Sequence, residues 1–378
     1  MSAIDLPEFA ADMLAAFQSL GVTRVDTPVI QPAEPFLDMA GEDLRRRIFM
    51  TQSETGKALC LRPEFTIPVC LRHIETATGT PKRYAYLGQV FRQRRGGANE
   101  FYQAGIEDLG ESDVARADAR AVSDAMVILQ SVLPTTQLQV TVGDQAMFEA
   151  VVAACGLAPG WQKRLIHAFG NVAQLEQLLE KLAHPQAVTG LEDKVEAYLV
   201  SNDDAGLIAH IDERMEATGY STNASRSPVE IAARLKEKRE LARVALDAPT
   251  LTLLRTFLSL DVPLSDAVDA LTRFADEAGL HIGTALTPFA ARVDALAQTV
   301  DVTAIRYRAA FGRPLDYYTG LVFEITALGQ TAVLAGGGRF DRLMTLLGAT
   351  HTIPAVGFAL WLDRIEQAQQ RNEQARGQ

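Results

Sequence analysis

The segment Phe101-Tyr-Gln-Ala-Gly-Ile-Glu-Asp108 carries the clearest chemical pattern in the chain. In a β-strand, period-two alternation puts Phe101, Gln103, Gly105 and Glu107 on one face and Tyr102, Ala104 and Ile106 on the other. The apolar face suits a core. On the first face an amide and a carboxylate flank a glycine, which predicts open space above the sheet and two acceptors for the protons of an amine or imidazole. Taken alone, the pattern also fits a solvent-exposed strand face. Leu61-Arg-Pro-Glu64-Phe-Thr66 adds a buried-looking carboxylate beside a proline that fixes the backbone, and alone it fits a structural ion pair equally.

Arg92 and Arg94 share a strand face, where two guanidinium groups could clamp a phosphate or carboxylate. An ordinary charged hairpin end would read the same way. Gly312-Arg313-Pro-Leu-Asp-Tyr317-Tyr318-Thr-Gly-Leu-Val-Phe-Glu324 combines a cation, two tyrosines and two acids within thirteen residues. Ala335-Gly-Gly-Gly-Arg-Phe-Asp341 predicts a loop whose backbone can approach a ligand closely, although a tight turn would explain the glycines and the G-x-x-x-x-G-K phosphate loop is missing. The six histidines are dispersed without H-E-x-x-H spacing, and no metal site is assigned.

The elements that must position these groups follow from periodicity. A first helix is predicted from Pro7, with Phe9, Met13, Phe17 and Leu20 on one face and Gly21 as its stop. Strands Tyr84 to Arg94 and Glu100 to Glu107 form an antiparallel hairpin around Gly96-Gly-Ala-Asn99. A helix (115–133) and a strand (138–142) follow, and helical patterns then dominate to about Gln298. They include a capping box at Ser227-Pro-Val-Glu230 and a helix from Ser265 to Gly279. Strands return at 303–309, 317–327 and 331–334, and a last helix is predicted from about Ala355. Strands at both ends of helical material favour an α+β fold with an antiparallel sheet over an alternating βαβ wrap.

The chain has 378 residues, 48% of them hydrophobic, which excludes disorder as the main state. Its 36 Lys+Arg against 47 Asp+Glu leave a formal charge of −11, which disfavours broad contact with nucleic acid or anionic membrane. Three cysteines without a C-x-x-C pair fit a reducing compartment. The amino terminus does not read as a signal peptide, and no apolar run approaches the roughly 20 residues that cross a bilayer. A soluble, cytoplasmic protein is expected.

In this order the segments resemble the catalytic core of class II aminoacyl-tRNA synthetases, specifically the histidyl-tRNA synthetase family. Thr27-Pro28 is similar to the end of the first motif, which builds a dimer interface. Val90-Phe91-Arg92 through Glu107 is similar to the second motif, Arg313 through Glu324 to the histidine-recognition segment, and Gly357-Phe-Ala-Leu-Trp-Leu-Asp-Arg364 to the third. The resemblance implies an antiparallel sheet of six or more strands flanked by helices, with a pocket for histidine and ATP. It implies histidine contacts at Glu64, Thr66, Gln103, Glu107, Arg313, Tyr317 and Tyr318, and phosphate-binding arginines at Arg92 and Arg364. The organisation it implies is a core formed by 1–159 and 256–378, around a helical insertion at 160–255.

Four departures argue against an active synthetase. Only 14 residues follow Arg364, too few for an anticodon-binding domain. The turn between Arg92 and Phe101 is short, and Arg94 stands where the synthetases use glutamate to hold ATP. Trp361 replaces a small glycine; on a helix it would share a face with Arg364 and crowd the region where that arginine meets ATP. Phe340 replaces a tyrosine and removes a hydroxyl beside the ligand.

The combination is similar to one branch of the family, the regulatory subunits of ATP phosphoribosyltransferase in histidine biosynthesis. That resemblance implies a non-catalytic chain with no cofactor. It implies pairing with a short-form catalytic subunit, self-association as a dimer within a hetero-oligomer (a hetero-octamer in the branch), and histidine as effector, without tRNA or membrane. The alternative is a truncated synthetase-like enzyme that activates histidine or another amino acid with ATP, since Arg92, Arg313 and Arg364 would serve adenylate formation.

Overall fold

Gly21, at φ +64°, ends the first helix, Ala10–Ser19, whose Met13 and Phe17 are buried. That helix begins three residues later than expected, because the Ala10 N–H bonds the Pro7 carbonyl and makes Pro7 open a turn instead. The computed structural model describes residues 6–39, 42–184, 191–217, 227–243, 246–313, 315 and 317–376.

Among the described residues twelve strands form two sheets: β1 (Thr23–Arg24), β2 (Ile30–Pro32), β3 (Met50–Gln52), β4 (Ala58–Leu61), β5 (Lys82–Phe91), β6 (Glu100–Leu109), β7 (Leu138–Asp144), β8 (Asp261–Pro263), β9 (Ile305–Arg308), β10 (Leu321–Ala327), β11 (Val333–Arg339) and β12 (Ala355–Trp361). Nine lie in the order β1-β5-β6-β12-β11-β10-β7-β9-β8; the other three form the small sheet β2-β4-β3. The large sheet is antiparallel except where β1 joins β5 and β7 joins β9. The fold is α+β, with a class II synthetase-like core.

Two expectations are corrected in the centre of this sheet. Residues 355–361 form strand β12, and the last helix starts only at Leu362. Both faces of β12 are covered, so its residues read as a continuous apolar run without alternation, and such a run cannot be told from a buried helix by period alone. The triple glycine is no loop: it lies inside β11, paired with β10 and β12. A β-carbon on Gly337 would lie 2.0 Å from the Gly357 carbonyl oxygen, and one on Gly338 would lie 2.4 Å from that of Leu321. Glycine is used there for close backbone approach.

The helix Val114–Val132, capped by Asp113 accepting from the Arg116 N–H, lays Ala117, Ala121, Val122, Ala125, Ile128 and Leu129 against the sheet. Its Asp118 is buried between two cations: Arg292 Nε donates at 2.7 Å and Arg339 Nε at 2.8 Å. Arg292 also reaches Asp144 and Arg339 reaches Asp341, so one buried network ties the ends of β7 and β11 to this helix. The capping box forms, with the Ser227 N–H donating to Glu230 Oε2 at 2.8 Å and the Glu230 N–H to Ser227 Oγ at 3.3 Å. Among the described residues no helix is long and apolar enough to cross a membrane, and no group of three or more His, Cys, Asp or Glu could hold a metal ion.

Candidate functional site

Glu64 ends the turn before the helix Thr66–Glu75, and both its oxygens cap that helix: Oε2 accepts from the Thr66 N–H at 2.7 Å and Oε1 from the Ile67 N–H at 2.9 Å. Two otherwise orphaned helix donors are satisfied in this way. Thr66 Oγ1 in turn donates to Glu107 Oε1 at 2.8 Å. Glu107 is wholly buried in β6, and its Oε2 has no hydrogen-bond partner. Burial holds both carboxyls above the usual carboxylate range, Glu107 well above it; the neighbouring Glu64 raises Glu107 further, while the Ile67 and Thr66 N–H groups pull Glu64 down and the Thr66 hydroxyl pulls Glu107 down.

A cavity of about 140 Å³ opens above this pair. Glu64, Thr66, Arg92, Gln103, Arg313, Tyr317 and Tyr318 all line it. Two residues of the expected set do not. Glu107 lies behind the lining, across Gly357, and Arg364 faces a separate cleft beside Gly96 and Gly97. The space expected above Gly105 is also occupied. Tyr86, its cross-strand partner, lies over it, and a β-carbon there would come 2.4 Å from the Tyr86 hydroxyl.

Arg92 and Arg94 do not form the shared clamp that alternation suggested, because β5 ends at Phe91 and both lie beyond it. Arg92 turns into the cavity, donating from Nε to the Pro63 carbonyl at 2.6 Å, and burial brings its guanidinium down to about 10 although Glu64 opposes this. Arg94 turns away, lies 3.5 Å over the Phe101 ring and donates to Asp363 Oδ2 at 3.0 Å.

Arg313 closes the opposite wall, held by Glu324 Oε1 at 2.7 Å, with its Nε buried and unpartnered. Trp361 is the last residue of β12, not on a helix as expected, and still meets two cations: Arg364 lies 4.7 Å and Arg313 5.8 Å from its ring centroid. The indole is 6% exposed and lines the cavity, so it fills space next to two guanidinium groups. Phe340 packs edge-on to Tyr317 at 6.0 Å. Sequence reasoning missed Tyr86, Leu44 and Arg47, which also line the cavity. Only for Tyr86 was there a signal, a bulky residue whose strand register sets it opposite a glycine.

The wall offers carboxylate and amide acceptors at Glu64 and Gln103, with Gln103 Oε1 buried and unpartnered. It offers guanidinium donors at Arg92 and Arg313. A ligand matching both needs a cationic or N–H-rich part and an anionic part within a small volume, which is the chemistry of an amino acid with a polar side chain.

A family model described as histidyl-tRNA synthetase matches residues 2–204 and 204–365. The chain is 69% identical over 372 residues to an ATP phosphoribosyltransferase regulatory subunit of Allorhizobium ampelinum, covering 98% of this chain and 100% of that one. It is 67% identical over 377 residues to the protein of that description from Sinorhizobium medicae, covering 99% and 100%. Among solved structures, one described as an ATP phosphoribosyltransferase regulatory subunit/histidyl-tRNA synthetase from Bacillus halodurans superposes with a TM-score of 0.66 at 19% identity, covering 97% of this chain and 81% of that one. Histidyl-tRNA synthetase from Nostoc superposes with a TM-score of 0.64 at 15% identity, covering 99% and 77%.

Proposed function

Because this chain belongs to the ATP phosphoribosyltransferase regulatory subunits, a family built on the histidyl-tRNA synthetase fold, we propose that its central cavity binds histidine as the feedback effector of that enzyme. A regulatory subunit acts through a catalytic partner and performs no chemistry of its own. The partner is a short-form catalytic subunit, the chain dimerises within a hetero-oligomer such as a hetero-octamer, and tRNA has no part in its work. It operates in the cytoplasm, in keeping with three free thiols.

One observation carries the reading: acceptors at Glu64 and Gln103 and donors at Arg92 and Arg313 line the same small cavity. Gln103 and Glu64 receive the imidazole and ammonium protons, Thr66 and Glu107 hold the acid side in place from behind, Arg313 takes the carboxylate, and Tyr317 and Tyr318 cover the ligand. Arg92 and Arg364 are remnants of phosphate binding. Trp361, packed against Arg313 and Arg364, takes up space that a nucleotide phosphate would need. Histidine then acts by linkage, binding one conformation of the assembly better than another.

The division into a core (1–159 and 256–378) and a helical insertion (160–255) has partial support in the packing. Helices Asp193–Ser201, Asp204–Ala217 and Pro228–Arg243 share a small separate core around Leu199, Leu207 and Ile211. Trp161, Leu165, Leu179 and Phe257, at the flanks of the interval, pack into the main core.

The test is calorimetric titration of histidine into the purified chain and its Gln103→Leu variant. The reading predicts binding to the wild type, weakened about tenfold or more by loss of the buried acceptor. Equal affinities for the two would remove this cavity from the effector role.

A further inference from the structure

A second, larger cavity of about 690 Å³ shares Arg313, Leu315 and Tyr318 with the first and runs from them to helices Pro159–Ala168 and Pro228–Arg243. Its walls carry Lys163, Arg164, Arg234, Lys238, Arg313 and Arg342 against two carboxylates, Glu149 and Glu237. This excess of positive charge stands out in a chain whose formal balance is −11. Arg313 is spoken for by Glu324, and Arg164 lies 5.5 Å from the Trp161 ring centroid. Lys163, Arg234, Lys238 and Arg342 form no ion pair with any described residue.

Four cations without a direct ion pair among the described residues, facing a cavity that holds only two carboxylates, repel each other, and a bound anion of high charge density relieves that repulsion. A single carboxylate cannot meet so many donors, whereas linked phosphates can, each accepting from several of them. The volume falls in the range that holds nucleotide-sized ligands. A long polyanion such as RNA would have to run past the acidic remainder of the surface, and a compact one need only enter the cavity.

We infer that this cavity is a binding site for a small molecule bearing two or more linked phosphates. The two cavities adjoin at Arg313, Leu315 and Tyr318, but Lys163, Arg234, Lys238 and Arg342, which carry the inference, line only the larger one, so it does not rest on the histidine reading.

The test uses the full chain at low ionic strength and titrates it with tripolyphosphate, with ATP, and with a short single-stranded RNA. Two variants accompany the wild type: Arg234→Gln with Lys238→Gln, both exposed positions, and Lys57→Gln at an exposed site remote from the cavity. Tripolyphosphate is expected to bind, and the double variant to weaken it about tenfold or more, with Lys57→Gln unchanged. ATP binding more tightly than tripolyphosphate identifies a nucleotide ligand; equal affinity identifies the phosphates alone as the recognised group. The inference is overturned if tripolyphosphate and ATP both fail to bind, if the two variants weaken them equally, or if RNA binds and tripolyphosphate does not displace it.

Discussion

Glu107 and Gly357 face each other as cross-strand partners in the centre of the sheet, and a β-carbon on residue 357 would lie 1.8 Å from Glu107 Oε2. The buried carboxylate occupies room that only glycine leaves. Gly357→Ala should therefore displace Glu107 and cost about 1–3 kcal/mol by overpacking. Urea denaturation of the variant checks this, and a stability equal to wild type would show that the strand yields freely.

The hydroxyl of Thr66, half-buried at the cavity wall, donates to Oε1 of the wholly buried Glu107. Thr66→Val keeps the shape and removes the donor, and should cost about 1–3 kcal/mol. Thr66→Ser should recover most of that loss in the same denaturation experiment.

The raised Glu107 carboxyl makes stability depend on pH with a definite sign. Between the ordinary value of 4.5 and its higher folded value, the folded chain binds more protons than the unfolded one. Stability contributed by this group is thus present in acid and lost as pH rises through that window. Glu107→Gln should be more stable than wild type near neutral pH, and the advantage should vanish below 4.5. Denaturation midpoints of both proteins across that range provide the check.

Asp118 is buried between Arg292 and Arg339. Asp118→Ala would remove the carboxylate the two buried cations share and leave each with one remaining partner, Asp144 or Asp341, and the expected loss is about 3–5 kcal/mol. A thermal or urea melt showing less than about 1 kcal/mol of change would mean that Asp144 and Asp341, already bonded to Arg292 and Arg339, suffice to hold the two cations.

Local chemistry was legible in the chain wherever a short segment sets its own geometry. The β5–β6 hairpin, the Ser227 capping box and the Gly279 stop could all be read from neighbouring residues. What resisted reading depends on partners far away in the chain. The triple glycine resembles a loop until strands β10 and β12 press on both sides of it, and β12 resembles a helix until its burial on both faces is known. The candidate site divides along the same line. Period two put Gln103 and Glu107 on one face, but it could not reveal that Tyr86 covers Gly105, nor that Glu107 sits one layer behind the cavity wall. Arg92 and Arg94 part company because the strand ends just before them.

The central claim, that the small cavity is the inhibitory histidine site, is tested most directly in the complex reconstituted with a short-form catalytic subunit. The measurement is the histidine concentration giving half-inhibition, for wild type and for Gln103→Leu, each referred to its own uninhibited rate. The account predicts an increase of about tenfold or more for the variant, from loss of a buried acceptor for the ligand. Half-inhibition at the same histidine concentration in both complexes would contradict it.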